Sequence, residues 1–107
     1  MPRKIDKRNF NNEVIESIEL AIVQFKSEWS GACQIIAPVY EELARHYKGS
    51  AKFFVSDIEV NTSLEKEFGI HEVPTILFFK SGKIIDYSIG LISKNKLIAK
   101  IENALTN

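Results

Sequence analysis

Leu20-Ala21-Ile22-Val23-Gln24-Phe25, followed by Lys26-Ser27-Glu28-Trp29-Ser30-Gly31-Ala32-Cys33, is the stretch that organises this chain. Its first part is a short, nearly continuous apolar run, the pattern of a strand buried on both faces. From Ser30 to about Tyr47 the apolar residues Ile35, Ile36, Val39, Tyr40, Leu43 and Tyr47 recur at three- and four-residue steps, which predicts an amphipathic helix. Pro38 falls inside it and is expected to remove a hydrogen bond and kink it, and Lys48-Gly49-Ser50 stops it. A buried strand leading directly into a long helix is the building unit of an α/β protein.

Upstream, Phe10-Asn11-Asn12-Glu13-Val14-Ile15 reads as a short helix with Asn11 or Asn12 as cap. A weak first strand is expected near Lys4 to Asp6. Downstream, Lys52-Phe53-Phe54-Val55-Ser56-Asp57-Ile58 is a second buried strand, and Thr62 to Gly69 a short helix ended by glycine. Pro74-Thr75-Ile76-Leu77-Phe78-Phe79 and Lys83 to Ile89 read as strands joined across Ser81-Gly82, a hairpin signal. A last helix runs from Ser93, its cap, to Leu105, with Leu97, Ile98, Ile101 and Leu105 on one stripe. Alternating strands and helices, closed by a hairpin, predict a mixed sheet with helices on both faces. Phe53, Phe54, Phe78 and Phe79 belong to its core.

The 107 residues are expected to form one domain, spanning 1–107, with a core that needs no metal or disulfide staple. Fourteen basic and fourteen acidic side chains balance, so no positive field draws in nucleic acid or an anionic membrane. No stretch nears the roughly 20 apolar residues of a membrane span, and the basic start at Arg3-Lys4 has no signal-type apolar run behind it. A cytoplasmic location is the expectation. No cofactor is expected. His71 and Cys33 are too few ligands for zinc, so no metal is expected either. His46 and His71 read as surface residues.

Ser30-Gly31-Ala32-Cys33 has the spacing of a C-x-x-C redox site with oxygen in place of the first sulfur. A dithiol site works by thiolate attack, a mixed disulfide, and resolution by the second thiol. Cys33 is the only cysteine, so nothing else in the chain can pair with it. Serine at a helix entrance is a good cap, its oxygen accepting from an N–H two or three residues on. A serine nucleophile would need an adjacent base and an oxyanion hole, and no histidine lies near it in sequence. For Cys33 two readings stand. It is an inert thiol packed like a small apolar residue, or a monothiol forming mixed disulfides with glutathione, a partner cysteine or a second copy of this chain.

Across nearly its whole length the chain resembles the thioredoxin family. The residues that carry the likeness are Phe25 to Cys33, Pro38, Asp57-Ile58-Glu59, Phe68-Gly69-Ile70, Val73-Pro74-Thr75, Phe79-Lys80-Ser81-Gly82 and Ile89-Gly90-Leu91. The resemblance implies a thioredoxin-like fold and a cis bond before Pro74, with that loop set against the Ser30–Cys33 motif. It also implies a groove for extended protein or peptide partners, formed by Trp29, Gly31, Ala32, Val73, Pro74, Gly90 and Leu91, by strand-type backbone pairing.

Three departures from the family bear on mechanism. The family's first cysteine is Ser30; the buried acid that handles the second cysteine's proton is Gln24; the lysine that accompanies it is Val55. The losses are mutually consistent, because a buried carboxylate with no dithiol to serve is only a desolvation cost. The resulting expectation is a redox-impaired or single-thiol member of the family. Its rival is a thiol–disulfide oxidoreductase whose nucleophilic cysteine has been changed to Ser30, which leaves Gln24 and Val55 unexplained. A peroxide- or glutathione-linked activity would require an exposed, acidic thiol at position 33.

Overall fold

A computed structural model describes residues 2–106. Five strands form one mixed sheet: β1 (Arg3–Lys4), β2 (Leu20–Lys26), β3 (Ala51–Asp57), β4 (Thr75–Lys80) and β5 (Lys83–Ile89), in the order β1-β3-β2-β4-β5. β1, β3 and β2 run parallel, whereas β4 is antiparallel to β2 and β5 to β4. β2 is the central strand, and Leu20 through Phe25 are all buried, which is why its sequence does not alternate.

The helices are α1 (Lys7–Phe10), α2 (Gly31–His46), α3 (Thr62–Glu67) and α4 (Lys94–Leu105). Strand periodicity sorts them into two layers. Leu20 and Ile22 on β2 pack with Ile36, Tyr40 and Leu43 of α2 and with Leu97 and Ile101 of α4. Ala21, Val23 and Phe25 point the other way, into a cluster with Phe10 of α1 and Leu64 of α3. Phe10, Phe68 and Phe79 form an aromatic group on that second face, with centroids 5.3–5.7 Å apart. Phe53, Phe54, Phe78 and Phe79 are all buried, as the sequence predicts. Among the described residues no helix is long and apolar enough to cross a membrane.

Some boundaries differ from those expected. The first helix starts at Lys7, capped by Asp6 and not by Asn11 or Asn12. The Asp6 carboxylate accepts from the N–H groups of Arg8 and Asn9, and Asn9 returns a side-chain bond to the Asp6 N–H. Asn11–Ile15 continues it as a wider, π-type turn. The first strand is Arg3–Lys4 rather than Lys4 to Asp6. Pro38 falls inside α2, as expected, and the helix runs from Gly31 to His46. At the hairpin, Lys80 pairs with Lys83, and Ser81 and Gly82 both have positive φ (53° and 77°). That is the two-residue turn whose twist suits adjacent antiparallel strands.

Two tyrosines fasten α2. Tyr40 is fully buried, its hydroxyl 2.7 Å from the Phe54 carbonyl of β3 and 3.1 Å from the Ile22 carbonyl of β2. At the helix end the Tyr47 hydroxyl donates to Glu102 of α4 at 2.6 Å. Burial, and next the bond to Glu102, push the Tyr47 phenol up to about 12, and burial pushes the Tyr40 phenol up as well. An unfolded chain releases phenolic protons near pH 10, whereas the folded chain holds these two. Their contribution to stability is therefore complete below about pH 10 and is lost as pH rises towards 12. Urea midpoints measured from pH 8 to 11 should be level to about 9.5 and then fall, and Tyr47→Phe should soften the fall. A midpoint unchanged at pH 11 would refute the linkage.

Candidate functional site

The site lies where the parallel strands β2 and β3 end. The two exits are held together, because the Ile58 N–H donates to the Lys26 carbonyl at 3.0 Å. Beyond Lys26 the chain turns around Ser27, which is buried. Its hydroxyl donates to the Glu59 carboxylate at 2.9 Å and accepts from the Trp29 N–H at 3.2 Å. Lys26 and Glu28 form an ion pair at 2.8 Å, and that bond lowers the Glu28 carboxyl below its usual range. The Gln34 side chain donates to the Glu28 carbonyl at 3.1 Å. Turned this way, Trp29 projects into solvent with 86% of its surface exposed, which rules out a core role for it.

Ser30 is the N-cap of α2. Its backbone is extended (φ −87°, ψ 121°), and its hydroxyl oxygen accepts from the Cys33 N–H at 3.2 Å. A cap of this kind satisfies one of the free N–H groups of a first turn and stabilises a helix by ~1 kcal/mol. Cys33 follows one turn on, unpaired and only 4% exposed. Gly31 is exposed, and a Cβ there would meet nothing within 4 Å.

The register brings the remaining sequence-predicted residues to the same end of the sheet. Phe25 on β2 pairs with Thr75 on β4, and Thr75 with Ile89 on β5. Val73 and Pro74 therefore stand at the head of β4, next to the exit of β2, joined by a cis peptide bond. Gly90 and Leu91 follow β5, and the Gly90 N–H donates to the Pro74 carbonyl at 2.7 Å. Gly90 has φ +84°, a conformation that favours glycine. Leu91 is exposed and Pro74 is buried.

Gln24 is 2% exposed and lies on the α2 side of β2, paired with Val55 of β3. Gln24, Val55, Lys4, Lys26 and the α2 residues Ala37, Tyr40 and Glu41 line a cavity of about 290 Å³. Among the described residues, no group of three or more histidine, cysteine or acidic side chains converges to hold a metal ion. His46 and His71 are exposed.

Several residues at this end carry no local signal in the sequence. Ile35 was expected on the buried stripe of α2, yet it is 63% exposed. It is adjacent to Ile36, and neighbouring helical positions cannot both face the sheet. Val60, on the loop after β3, is 74% exposed, and Ile89 is 59% exposed. With Trp29 and Leu91 they add apolar surface around the site. Ser27 and Glu59 lie in stretches that carry the family resemblance, but their bond to each other has no local signal, and nothing local marks Glu72 as part of this end of the sheet.

The five-stranded mixed sheet with helices on both faces, and α2 opening at the end of the central strand, define a class: a thioredoxin-type α/β sandwich. Residues 2–103 match the family model described as Thioredoxin. The chain is 34% identical over 105 residues to a thioredoxin of Rickettsia felis, covering 98% of this chain and all of that one. It is 35% identical over 95 residues to thioredoxin 2 of Chlorobaculum tepidum, covering 89% of this chain and 87% of that protein. To thioredoxin 1 of Nostoc it is 30% identical over 102 residues, 95% of each chain. The chain belongs to the thioredoxin family.

Proposed function

We propose that this protein is a redox-impaired or single-thiol thioredoxin-family member that binds protein or peptide partners in the groove of Trp29, Cys33, Val73 and Pro74. The observation that carries the reading is the use made of Ser30. Its oxygen caps α2 by accepting from the Cys33 N–H, in the place where a dithiol enzyme keeps its attacking sulfur. Cys33 is then the one thiol available, and it is buried. Gln24 in the buried position next to Val55 supports the same conclusion, because neither residue can carry a proton to or from the thiol.

Any remaining exchange runs through Cys33 alone. Its thiolate attacks one sulfur of a partner or glutathione disulfide, forming a mixed disulfide and releasing the other sulfur as thiolate. A second, external thiol must attack that mixed disulfide to free Cys33, so turnover is slow. Binding needs none of this chemistry. The exposed Trp29 and Leu91 offer an extended chain apolar contact, and the backbone of Val73, beside the mutually bonded Pro74 and Gly90, offers strand-type hydrogen bonding.

The test is insulin-disulfide reduction with dithiothreitol as the external reductant. The purified protein should give turbidity no faster than dithiothreitol alone. Turnover at ordinary thioredoxin rates would overturn the reading.

A further inference from the structure

We infer that Glu72 selects the partner, favouring extended segments that carry a lysine or arginine where they cross the Pro74–Gly90 junction. The inference rests on the groove reading above and adds the chemistry of its occupant. Glu72 stands two residues before Pro74, and its side chain folds across Gly90. A Cβ built on Gly90 would lie 2.9 Å from the Glu72 Oε2. The missing side chain at position 90 is what leaves room for a carboxylate there.

The backbone beneath that carboxylate is fixed. The Thr75 hydroxyl donates to the Glu72 carbonyl, and the Gly90 N–H to the Pro74 carbonyl at 2.7 Å. The carboxylate itself is exposed, and among the described residues it has neither an ion pair nor a hydrogen bond. The acidic residues at the exits of β2 and β3 are differently placed. Glu28 is neutralised by Lys26 at 2.8 Å, Glu59 accepts from the Ser27 hydroxyl, and Asp57 accepts from the Glu59 N–H. Glu72 is thus a negative charge held over the groove floor and left for an outside cation. A partner side chain crossing at Gly90 meets it directly. A cationic one gains an ion pair; an acidic one meets repulsion.

Trp29 is the only tryptophan, and it is exposed at the groove, so its fluorescence reports occupancy. The probes are capped heptapeptides with one apolar centre, identical except for Lys, Gln or Glu at the positions flanking it. At low salt the Lys peptide should bind about fivefold more tightly than the Gln peptide, the worth of a good exposed ion pair, and the Glu peptide more weakly than either. The gap should shrink at about 0.5 M salt. Glu72→Gln should remove the preference and Glu72→Lys should reverse it. Equal binding of the three peptides, or a preference that survives Glu72→Gln, overturns the role of Glu72 while leaving the groove reading intact. If no peptide moves the Trp29 signal, the groove reading falls and this inference falls with it.

Discussion

Replacing Ser30 with cysteine should give this protein disulfide-reductase activity above that of the parent. Position 30 sits at the entrance of α2, where the first turn presents N–H groups that find no intrahelical acceptor, and Cys33 lies one turn inside. A thiol placed there is favoured as thiolate by those N–H groups and by the helix dipole. It attacks a substrate disulfide, forms a mixed disulfide, and releases the first substrate thiolate. The Cys33 thiol then attacks the mixed disulfide, releasing the second substrate thiol and leaving an internal disulfide that dithiothreitol reduces. Insulin turbidity should accordingly appear well ahead of the dithiothreitol control. The gain should be partial, because Gln24 cannot take the proton that Cys33 must lose. Adding Gln24→Asp should raise turnover again, a positioned acid–base group being worth about 10²–10⁴-fold in general, and should lower stability by burying a carboxylate. If Ser30→Cys folds, forms its internal disulfide and still fails to reduce insulin, the residue at position 30 is not what sets the activity.

That prediction depends on features that were legible in the sequence for physical reasons. β2 declared itself because a central strand must be apolar on both faces, so Leu20 to Phe25 could be read without knowing their neighbours. Ser30 and Ser93 each cap a helix by accepting from the N–H three residues on, a short-range bond that spacing alone predicts. Ser81-Gly82 marked the hairpin because few residue pairs tolerate two positive φ angles in succession. Other features resisted reading for equally definite reasons. Asp6 caps α1 through a reciprocal bond with Asn9, ahead of any apolar period, so the pattern drew attention to Asn11 and Asn12. Ile35 shares its residue type with Ile36, and only the docking of α2 on the sheet decides which of them is covered. The placement of Glu72 over Gly90 depends on two chain segments meeting across β4 and β5, and no local spacing encodes that. The parts of the site set by one turn of helix were readable from spacing; Val73, Pro74, Gly90 and Leu91, which pairing across the sheet brings together, were reachable only through the family resemblance.

Truncating Tyr40 to alanine should cost this fold more than any change at the exposed groove. Tyr40 is 1% exposed at the middle of α2, packs edge-on against Phe53 with ring centroids 5.4 Å apart, and reaches the carbonyls of β2 and β3. Losing a buried aromatic ring leaves a void that its neighbours fill only partly, a penalty of about 3–5 kcal/mol. That is a large share of the roughly 5–15 kcal/mol that holds a typical domain folded. Tyr40→Phe separates the ring from the hydroxyl. It keeps the packing and removes one donated hydrogen bond, so its cost should be about 0.5–1.5 kcal/mol. Urea denaturation of the two variants should therefore give clearly different midpoints, with Tyr40→Phe close to the parent. The comparison has a functional side, because α2 carries Ser30 and Cys33 at its far end and Tyr40 ties that helix to the two strands from which the site emerges. In Tyr40→Phe, alkylation of Cys33 by iodoacetamide should stay as slow as in the parent, since the ring that packs the helix on the sheet is kept. In Tyr40→Ala, where the helix loses its seat, alkylation should quicken. Equal stability losses in the two variants would mean that the hydroxyl, and not the ring, anchors the helix. Unchanged alkylation in Tyr40→Ala would mean that the burial of Cys33 does not depend on this anchor at all.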